Sequence, residues 1–376
     1  MFAHLRANLW LLFLTVVICC VLYPAAVWVV GWTIFHNQAQ GSLIDENGNP
    51  VSDPAKAKGS VLIAQSFNSA WFFQPRPSAA SYNAAASGGS NYGASNPKLR
   101  GRVAQLLGTI VVYRKDGPRH GDPVGPDVEK WFQEQGKTRD LAGEWVAANP
   151  TLAQVWATSS DAIKGYITGW AAERADVAAD WKKDNPDVKK DPGPDDLVAY
   201  FIKSYVKGRP GTWPVQTTET DKDGKPQTVV KPATEGTDVQ SIFFDTWLTE
   251  EVKAGKLDPL KDFEQVPADM VTASGSGLDP DISLRNARYQ RDGVVGGVVA
   301  KLVSDFEGKE ENQKANKKVS DEQKKKLADD VGAAVDEMLA RQAYRPMWGL
   351  TGDEPLVNVL RLNLAIKSKM DALALK

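Results

Sequence analysis

The chain has 376 residues, of which 45 are Lys or Arg and 47 are Asp or Glu, so its formal net charge is −2. This near-neutral balance excludes a strongly basic nucleic-acid-binding protein, and we expect no nucleic acid among the partners. Two adjacent cysteines and three scattered histidines argue against a Cys- or His-based metal site and against a Ser-His-Asp triad. The length predicts about two globular units, and a hydrophobic content of 42% excludes wholesale disorder.

The N-terminal segment predicts a membrane anchor. From Ala7 to Phe35 the sequence contains neither a charged residue nor a histidine. About 20 apolar residues span a bilayer, whereas the apolar part of a secretory signal is about 7–15 residues long. We therefore interpret residues 9–35 as a transmembrane helix that follows a short leader at 1–8. Pro24 interrupts this helix and is expected to kink it.

The charges that flank this segment predict its orientation. Arg6 precedes the span, whereas the first charged residues after it are Asp45 and Glu46. The positive-inside rule then places the chain in a bacterial inner membrane, with the leader in the cytoplasm and the soluble part in the periplasm. No second apolar run of comparable length follows, so a single-pass protein in contact with membrane lipid is predicted.

The region after the anchor changes composition several times. Residues 36–59 are rich in Gly, Asn, Asp and Pro and are typical of a linker. Ser60 to Phe67 is short and apolar and predicts a strand, and Gln74 to Pro97 consists of small, turn-forming residues. Lys98 to Tyr113 has a helical pattern that fades into an apolar end.

Residues 116–265 form an acidic, tryptophan-rich segment. They contain 27 acidic and 19 basic residues, a net charge of −8, and seven of the 12 tryptophans. Four of these tryptophans recur among alanines and charges and indicate amphipathic helices: Trp145, Trp156, Trp170 and Trp181. A hairpin that turns at Asp223-Gly224 follows. The segment is therefore predicted to fold as a mainly helical domain.

The C-terminal third predicts a mixture of loop, helix and strand. Val266 to Arg291 is a turn-rich loop that runs into a helix. Ser320 to Arg341 predicts an amphipathic helix, because leucine and valine recur at four-residue spacing. Leu360 to Ile366 alternates apolar and polar residues and predicts a strand. The predicted fold class is α+β: one transmembrane helix, then a mixed α+β extracytoplasmic domain that carries the helical insertion.

Three sites have side chains or backbone suited to binding. The glycine-rich segment at 87–91 can present backbone N–H groups to an anion, although a tight turn explains the same residues more simply. Asp279 and Asp281 can contribute to a cation site, although an Asp-Pro turn and helix cap is the favoured interpretation. Arg76 lies between two prolines on a stiff segment and is suited to a fixed ion pair; a surface arginine remains the alternative.

These segments together resemble the KdpC family, the small subunit of the bacterial Kdp potassium-transporting ATPase. The first matching block comprises Arg76-Pro77-Ser78, Tyr82-Asn83, Ser87-Gly88-Gly89-Ser90-Asn91 and Asn96-Pro97. The second is Val271-Thr272-Ala273-Ser274-Gly275-Ser276-Gly277-Leu278-Asp279-Pro280. The third is Val357-Asn358-Val359-Leu360 with Leu362-Asn363-Leu364-Ala365.

The resemblance implies an accessory subunit that is not itself an enzyme. Its expected partners are a channel-like potassium-binding subunit and a P-type ATPase subunit. It also implies a catalytic-chaperone role, in which the ATP affinity of the hydrolytic subunit rises. No intrinsic cofactor is implied; ATP would be shared with the hydrolytic subunit through Ser87 to Asn91. The other matching residues of the first two blocks are expected to be structural or to contact partners.

Two departures from the family pattern stand out. Asp281 replaces a histidine that the family usually has, and the chain is about twice the family's length. We therefore expect a KdpC-like domain at 36–115 and 266–376 that is interrupted by an inserted domain at 116–265. Long insertions are tolerated at exposed loops because loop-closure entropy grows slowly with length.

The predicted topology separates the soluble domain from cytoplasmic ATP. It therefore favours a structural role at the potassium entry over nucleotide contact, and the acidic insertion would raise the local cation concentration. The alternative is a single-pass envelope binding module whose inserted domain binds another partner, such as a carbohydrate or peptide stacked on tryptophan rings. Buried core tryptophans are the simpler expectation.

Overall fold

The computed structural model describes residues 2–158, 160–220, 225–314, 317–346 and 354–373. Helices dominate this part of the chain, and its strands form three two-stranded antiparallel sheets, in agreement with a mixed α+β fold. The chain divides into two compact units. The first unit extends to Ser90 and resumes at Pro267, and the second runs from Asn91 to Val266.

The helices and strands follow one another in three groups along the chain. The N-terminal elements are α1 (Phe2–Val16), a π-helical stretch (Val17–Leu22), α2 (Tyr23–Thr33), α3 (His36–Ala39), β1 (Leu43–Ile44) and β2 (Gly59–Ser60). The second unit contains α4 (Pro97–Ile110), α5 (Gly125–Gly136), α6 (Leu141–Ala148), α7 (Pro150–Thr158), α8 (Asp161–Ala172), α9 (Ala175–Asp184), α10 (Pro194–Lys207), β3 (Trp213–Thr220), β4 (Pro226–Ala233), α11 (Thr237–Lys253) and α12 (Pro259–Asp262). The first unit resumes with a 3-10 turn (Ala268–Met270), β5 (Asp281–Ser283), α13 (Leu284–Glu307), α14 (Glu310–Lys314), α15 (Asp321–Gln342), β6 (Leu356–Asn358) and α16 (Val359–Leu373).

The N-terminal helix is long and apolar enough to cross a membrane. The candidate span runs from His4 to Thr33, with a mean hydropathy of 2.5 in its most apolar stretch, and none of that stretch is buried. The helix widens into π geometry just before Pro24, whose ring would clash with the carbonyl four residues earlier in a regular α-helix and whose nitrogen donates no hydrogen bond. Pro24 thus coincides with a local π-helical stretch, whereas the kink expected there stays a prediction.

The core of the first unit lies where α13, α15 and α16 pack together. The fully buried side chains include Phe73, Ile282, Val298, Val335, Leu362 and Ile366. The predicted amphipathic helix is confirmed as α15, and Ser320 and Gln323 form a capping box at its start. The helix predicted to follow the loop at 266–291 is α13.

Two adjacent glycines of α13 differ sharply in their surroundings. A Cβ at Gly297 would lie 2.5 Å from the carbonyl oxygen of Ala70, whereas a Cβ at Gly296 would have no atom within 4 Å. We expect Gly297→Ala to lower the free energy of unfolding by about 1–3 kcal/mol, because the backbone at Ala70 must move. Gly296→Ala, the matched control, should raise it by about 0.5–1 kcal/mol through helix propensity. Thermal unfolding of the two variants would measure this, and equal effects would contradict the packing.

Two predicted strands differ from the structure. The strand expected at Ser60–Phe67 is limited to Gly59–Ser60, which pairs with Leu43–Ile44. The strand expected at Leu360–Ile366 is wrong, because these residues belong to helix α16. The alternating leucines coincide with a helical stripe in which Val359, Asn363, Ile366 and Met370 are buried.

The second unit is mainly helical, as predicted for the acidic segment. Its core holds Phe132, Phe201, Trp213 and Phe243, and the four recurrent tryptophans lie in α6 to α9. The predicted hairpin is confirmed as β3 and β4, whereas its turn at Asp223-Gly224 lies outside the described residues.

Helix α4 confirms the helical pattern predicted after Lys98. Asn96 caps it by accepting a hydrogen bond from the amide of Lys98 at 2.9 Å. It packs against α11 so closely that a Cβ at Gly108 would lie 2.3 Å from the carbonyl oxygen of Gln240. Residues 91–110 therefore pack with the second unit, whereas the sequence predicts that they belong to the KdpC-like domain, whose boundaries stay a prediction.

Candidate functional site

Two loops whose bonded residues are 189 to 199 positions apart in sequence meet in the first unit and form the candidate site. The Ser78 hydroxyl donates to the carbonyl oxygen of Gly277 at 2.6 Å. The amide of Gly88 and the hydroxyl of Ser87 both donate to the carbonyl oxygen of Ser276, at 2.8 and 3.0 Å. The structure therefore brings together the residues of the first two sequence blocks.

Ser78 is the centre of the first loop. Its Oγ accepts hydrogen bonds from the amides of Ala80 and Tyr82, at 3.2 and 2.9 Å, in addition to its bond to the second loop. The Tyr82 hydroxyl closes the loop by donating to the carbonyl oxygen of Arg76 at 2.9 Å, and burial raises the pKa of this phenol. The hydrogen bonds of the Ser78 hydroxyl and the Tyr82 phenol thus hold this short sequence of small residues in an ordered loop.

Arg76 forms the ion pair that its stiff setting between two prolines suggested. Its Nη1 lies 3.1 Å from Oδ2 of Asp279, and both side chains are about one-third exposed or less. Asp279 also holds its own loop, since its Oδ1 accepts from the amide of Asp281 at 3.2 Å. The amide of Asp279 donates to Oγ of Ser274 at 3.4 Å. The pair therefore connects the two loops electrostatically.

Two carboxamide side chains hold the chain just before Arg76. Asn363, in α16, accepts from the amide of Phe73 at 2.8 Å and donates to its carbonyl oxygen at 2.9 Å. Gln290, in α13, makes the same pair of bonds with Gln74, at 2.8 and 3.0 Å. Each carboxamide bonds both the N–H and the C=O of one residue, as the backbone of a neighbouring strand would do. Asn363 lies in the third matched block, but no sequence pattern pointed to Gln290.

The remaining candidate residues have mainly local roles. The Thr272 hydroxyl donates to the carbonyl oxygen of Ala268 at 2.7 Å, and Oδ1 of Asn83 accepts from the amide of Ala85 at 3.0 Å. The carbonyl of Pro280 accepts from the amide of Val359 at 3.0 Å. Gly275 borders open space, since a Cβ there would have no neighbour within 4 Å.

The segment predicted to contact nucleotide, Ser87–Asn91, uses some of its hydrogen-bond donors for bonds within the first unit. The Gly88 amide and the Ser87 hydroxyl are both bonded to Ser276, so neither is available to an anion without breaking that bond. Ser90 ends the first unit, whereas Asn91 begins the second and has a left-handed φ of 51°. Contact between Ser87–Asn91 and ATP stays a prediction.

The helix cap predicted at Asp279-Pro280-Asp281 is wrong. Ser283 caps α13 instead, because its Oγ accepts from the amide of Asn286 at 3.0 Å. Asp269 supports that cap by accepting from the amide and the hydroxyl of Ser283, at 2.8 and 3.1 Å. Within the described residues no group of three or more His, Cys, Asp or Glu side chains is placed to hold a metal ion.

Asp281 lies at the start of β5 in a partly buried setting. It accepts hydrogen bonds from the Tyr344 hydroxyl at 2.8 Å and from the Asn358 amide group at 3.0 Å. Burial raises the pKa of its carboxyl group above the ordinary value of 3.8, although the two hydrogen bonds oppose this shift. The negative charge at this position therefore costs folding free energy at neutral pH.

The raised pKa of Asp281 predicts a pH-dependent stability difference. Between pH 3.8 and its folded-state pKa the folded chain binds more protons here than the unfolded chain, so this contribution to stability falls as pH rises. We expect the unfolding free energy of Asp281→Asn minus that of the natural chain to increase through this window and to be constant below it. Denaturant unfolding at several pH values would measure the difference. Asp371→Asn, which removes an exposed carboxylate, is the control, and a parallel profile for both variants would contradict the prediction.

The seven tryptophans of the second unit do not form an exposed stacking surface. Five are buried and two are partly buried: Trp131, Trp145, Trp181, Trp213 and Trp247, and Trp156 and Trp170. Several contact one another edge to face, as where the rings of Trp145 and Trp213 meet at 5.3 Å. The expectation of core tryptophans is confirmed, and recognition by exposed tryptophan rings is contradicted.

Comparison with known proteins identifies the family to which these loops belong. The family model described as KdpC, the K+-transporting ATPase c chain, matches residues 5–128 and 203–298. The KdpC subunit of Mycobacterium bovis is 39% identical over 125 residues, which cover 33% of this chain and 61% of the relative. The KdpC subunit of Burkholderia cenocepacia is 35% identical over 156 residues, which cover 35% of this chain and 76% of the relative.

The gap in the family match, residues 129–202, lies inside the predicted insertion. The chain spans only 61% of the length of the mycobacterial relative. The family model nevertheless matches more than half of the chain, and the Burkholderia relative is covered over 76% of its length at 35% identity. The chain therefore belongs to the KdpC family of potassium-transporting ATPase subunits.

Proposed function

We propose that this chain is a non-catalytic accessory subunit of an ATP-driven, high-affinity potassium import complex. The observation that carries the proposal is the pairing of the two family loops, in which Ser78, Ser87 and Gly88 all bond to the backbone of Ser276-Gly277. Relatives that are 35–39% identical are named as KdpC subunits of a potassium-transporting ATPase. Loops held this rigidly are suited to a fixed contact with a partner, because little entropy remains to be lost on binding.

The proposed partners are a channel-like potassium-binding subunit and a P-type ATPase subunit. The exposed apolar helix from His4 to Thr33 would anchor the chain beside them in the bilayer. With the leader in the cytoplasm, the soluble units lie in the periplasm and steady the potassium entry. Any increase in the ATP affinity of the hydrolytic subunit is then transmitted through assembly, and the chain alone does not hydrolyse ATP.

A pull-down tests the assembly. The tagged full-length chain is purified in mild detergent from cells limited for potassium, and its partners are identified by mass spectrometry. The same tag on an unrelated single-pass protein is the control. Recovery of a P-type ATPase together with a multi-span subunit, in the test sample alone, is expected. Recovery of neither would overturn the accessory-subunit proposal.

Cysteine labelling tests the orientation separately. The two natural cysteines, Cys19 and Cys20, both lie in the candidate span and can be changed to alanine. A single cysteine at exposed Asn68 then reports the side on which the first unit lies. Labelling of intact cells by a membrane-impermeant maleimide is expected. Labelling only after the cells are lysed would place this unit in the cytoplasm and contradict the orientation.

A further inference from the structure

A pocket lined by three lysines and an arginine lies in the second unit, in a segment of the chain whose net charge is negative. The pocket has a volume of about 410 Å³ and is bounded by the end of α5, the start of α6, one face of α10 and the loop before β3. Its rim carries Lys137, Lys203 and Lys207. Within the described part of the chain, none of the three lysines makes an ion pair with a carboxylate. Asp140 also lines the pocket, but its carboxylate does not pair with any of these three lysines.

The other two charged residues of the pocket are already engaged. Arg139 is held by Glu250 at 2.6 Å and by Glu144 at 2.8 Å, so its charge is balanced outside the pocket. Asp140 caps α6 and accepts from the amide of Gly143 at 2.9 Å. The positive charge that remains available at the pocket thus belongs mainly to the three lysines, and an anion bound there would gain from it.

The walls of the pocket are fixed. Gly136 and Gly211 pack backbone against backbone, since a Cβ at Gly136 would lie 2.9 Å from Cα of Gly211. The floor is apolar and buried, formed by side chains that include Phe132, Leu141 and Val206. A volume of this size, with an apolar floor and charged rim, is typical of a site for a small organic ligand.

Helix stabilisation explains only part of this arrangement. Lys207 is the last residue of α10 and Lys137 directly follows α5, so both positive charges also stabilise the negative C-terminal ends of these helix dipoles. Lys203 lies one full turn before Lys207 on the same face of α10, where a helix-terminus effect is weak. Helix-end stabilisation therefore does not explain the position of Lys203, whereas a binding site does.

We propose that this pocket binds a small phosphomonoester, whose phosphate contacts the three lysines and whose organic part lies on the apolar floor. Lysine ammonium groups bind phosphate as point charges and need no fixed bidentate geometry. The same phosphate chemistry occurs in soluble metabolites and in the headgroup of phosphatidate. The proposal concerns the second unit only and is independent of the proposed transport role.

Binding of phenyl phosphate to the full-length chain in neutral detergent tests the proposal by calorimetry at low ionic strength. We expect saturable binding that inorganic phosphate competes away and that added salt weakens. The double variant Lys203→Gln/Lys207→Gln should bind at least about tenfold more weakly. The control Lys189→Gln/Lys190→Gln removes the same charge from two exposed lysines outside the pocket and should bind as the natural chain does.

The single variants and a lipid probe complete the test. Lys203→Gln alone should weaken binding about as much as Lys207→Gln does. Tighter binding of dihexanoyl phosphatidate than of phenyl phosphate, lost in the same double variant, would support the site and identify a lipid headgroup as the source of the phosphate. No binding of phenyl phosphate, or equal weakening in the pocket variant and the control, would overturn the proposal.

Discussion

Asn363→Leu is expected to destabilise the first unit by about 2–5 kcal/mol. The side chain is 1% exposed and forms two hydrogen bonds with the backbone of Phe73, which is itself fully buried. Leucine has a similar volume but can neither donate nor accept, so one buried amide and one buried carbonyl would lose their partners. Each unsatisfied buried group costs about 1–3 kcal/mol.

Hydrogen exchange measures this effect at the site. We expect the Phe73 amide, followed in peptides that cover residues 70–76, to exchange faster in Asn363→Leu, and the midpoint of thermal unfolding to fall. Asn68→Leu is the matched control, because Asn68 is exposed and its side chain makes no hydrogen bond with a described residue. Unchanged protection at Phe73 would show that Asn363 does not hold this segment.

Gly277→Ala is the second change with a large expected effect, a loss of about 2–5 kcal/mol in the free energy of unfolding. Gly277 has a φ of +68°, which costs a residue with a Cβ about 1–2 kcal/mol. The new Cβ would also lie 2.7 Å from the carbonyl oxygen of Gly88 and 3.0 Å from Cβ of Ala80. Relief of these contacts requires the two family loops to separate, at a further cost of about 1–3 kcal/mol.

The same variant tests whether the loop pairing matters for assembly. Gly275→Ala is the control two residues away, because a Cβ there meets nothing within 4 Å and its φ is not positive. We expect Gly277→Ala to expose the Gly88 amide to hydrogen exchange and to reduce recovery of partner subunits, whereas Gly275→Ala changes neither. If the Gly277→Ala chain still assembles normally although its loops have separated, assembly does not depend on the loop pairing.

The partly buried carboxyl group of Asp281 connects the site to pH. The carboxyl group is partly buried between Tyr344 and Asn358, and its pKa is raised by that burial. A histidine buried in the same place would tend to lose its charge, whereas this aspartate tends to gain a proton. Acid therefore favours the folded loop when position 281 is an aspartate, whereas acid would disfavour it with a buried histidine there.

The sequence by itself determined the features that depend on neighbours along the chain. The apolar run, helices α4 and α15 and the β3–β4 hairpin all follow from local periodicity and turn signals. The three family blocks also pointed to the loops of the site. These patterns need no knowledge of the distant chain, because the interactions that stabilise them span only a few residues.

Only the tertiary structure decided which polar groups of distant segments form hydrogen bonds with one another. The alternating leucines after Val359 fit a strand or a helix, and the burial of Asn363 against Phe73, 290 residues away, accompanies the helix that forms. The cap of α13 belongs to Ser283 rather than to the Asp-Pro turn, because Asp269 binds that serine from another segment. The lysines at 137, 203 and 207 line one pocket only because α6 packs against both α5 and α10. Each outcome depends on burial and on hydrogen-bond partners supplied by the fold, which no local pattern contains.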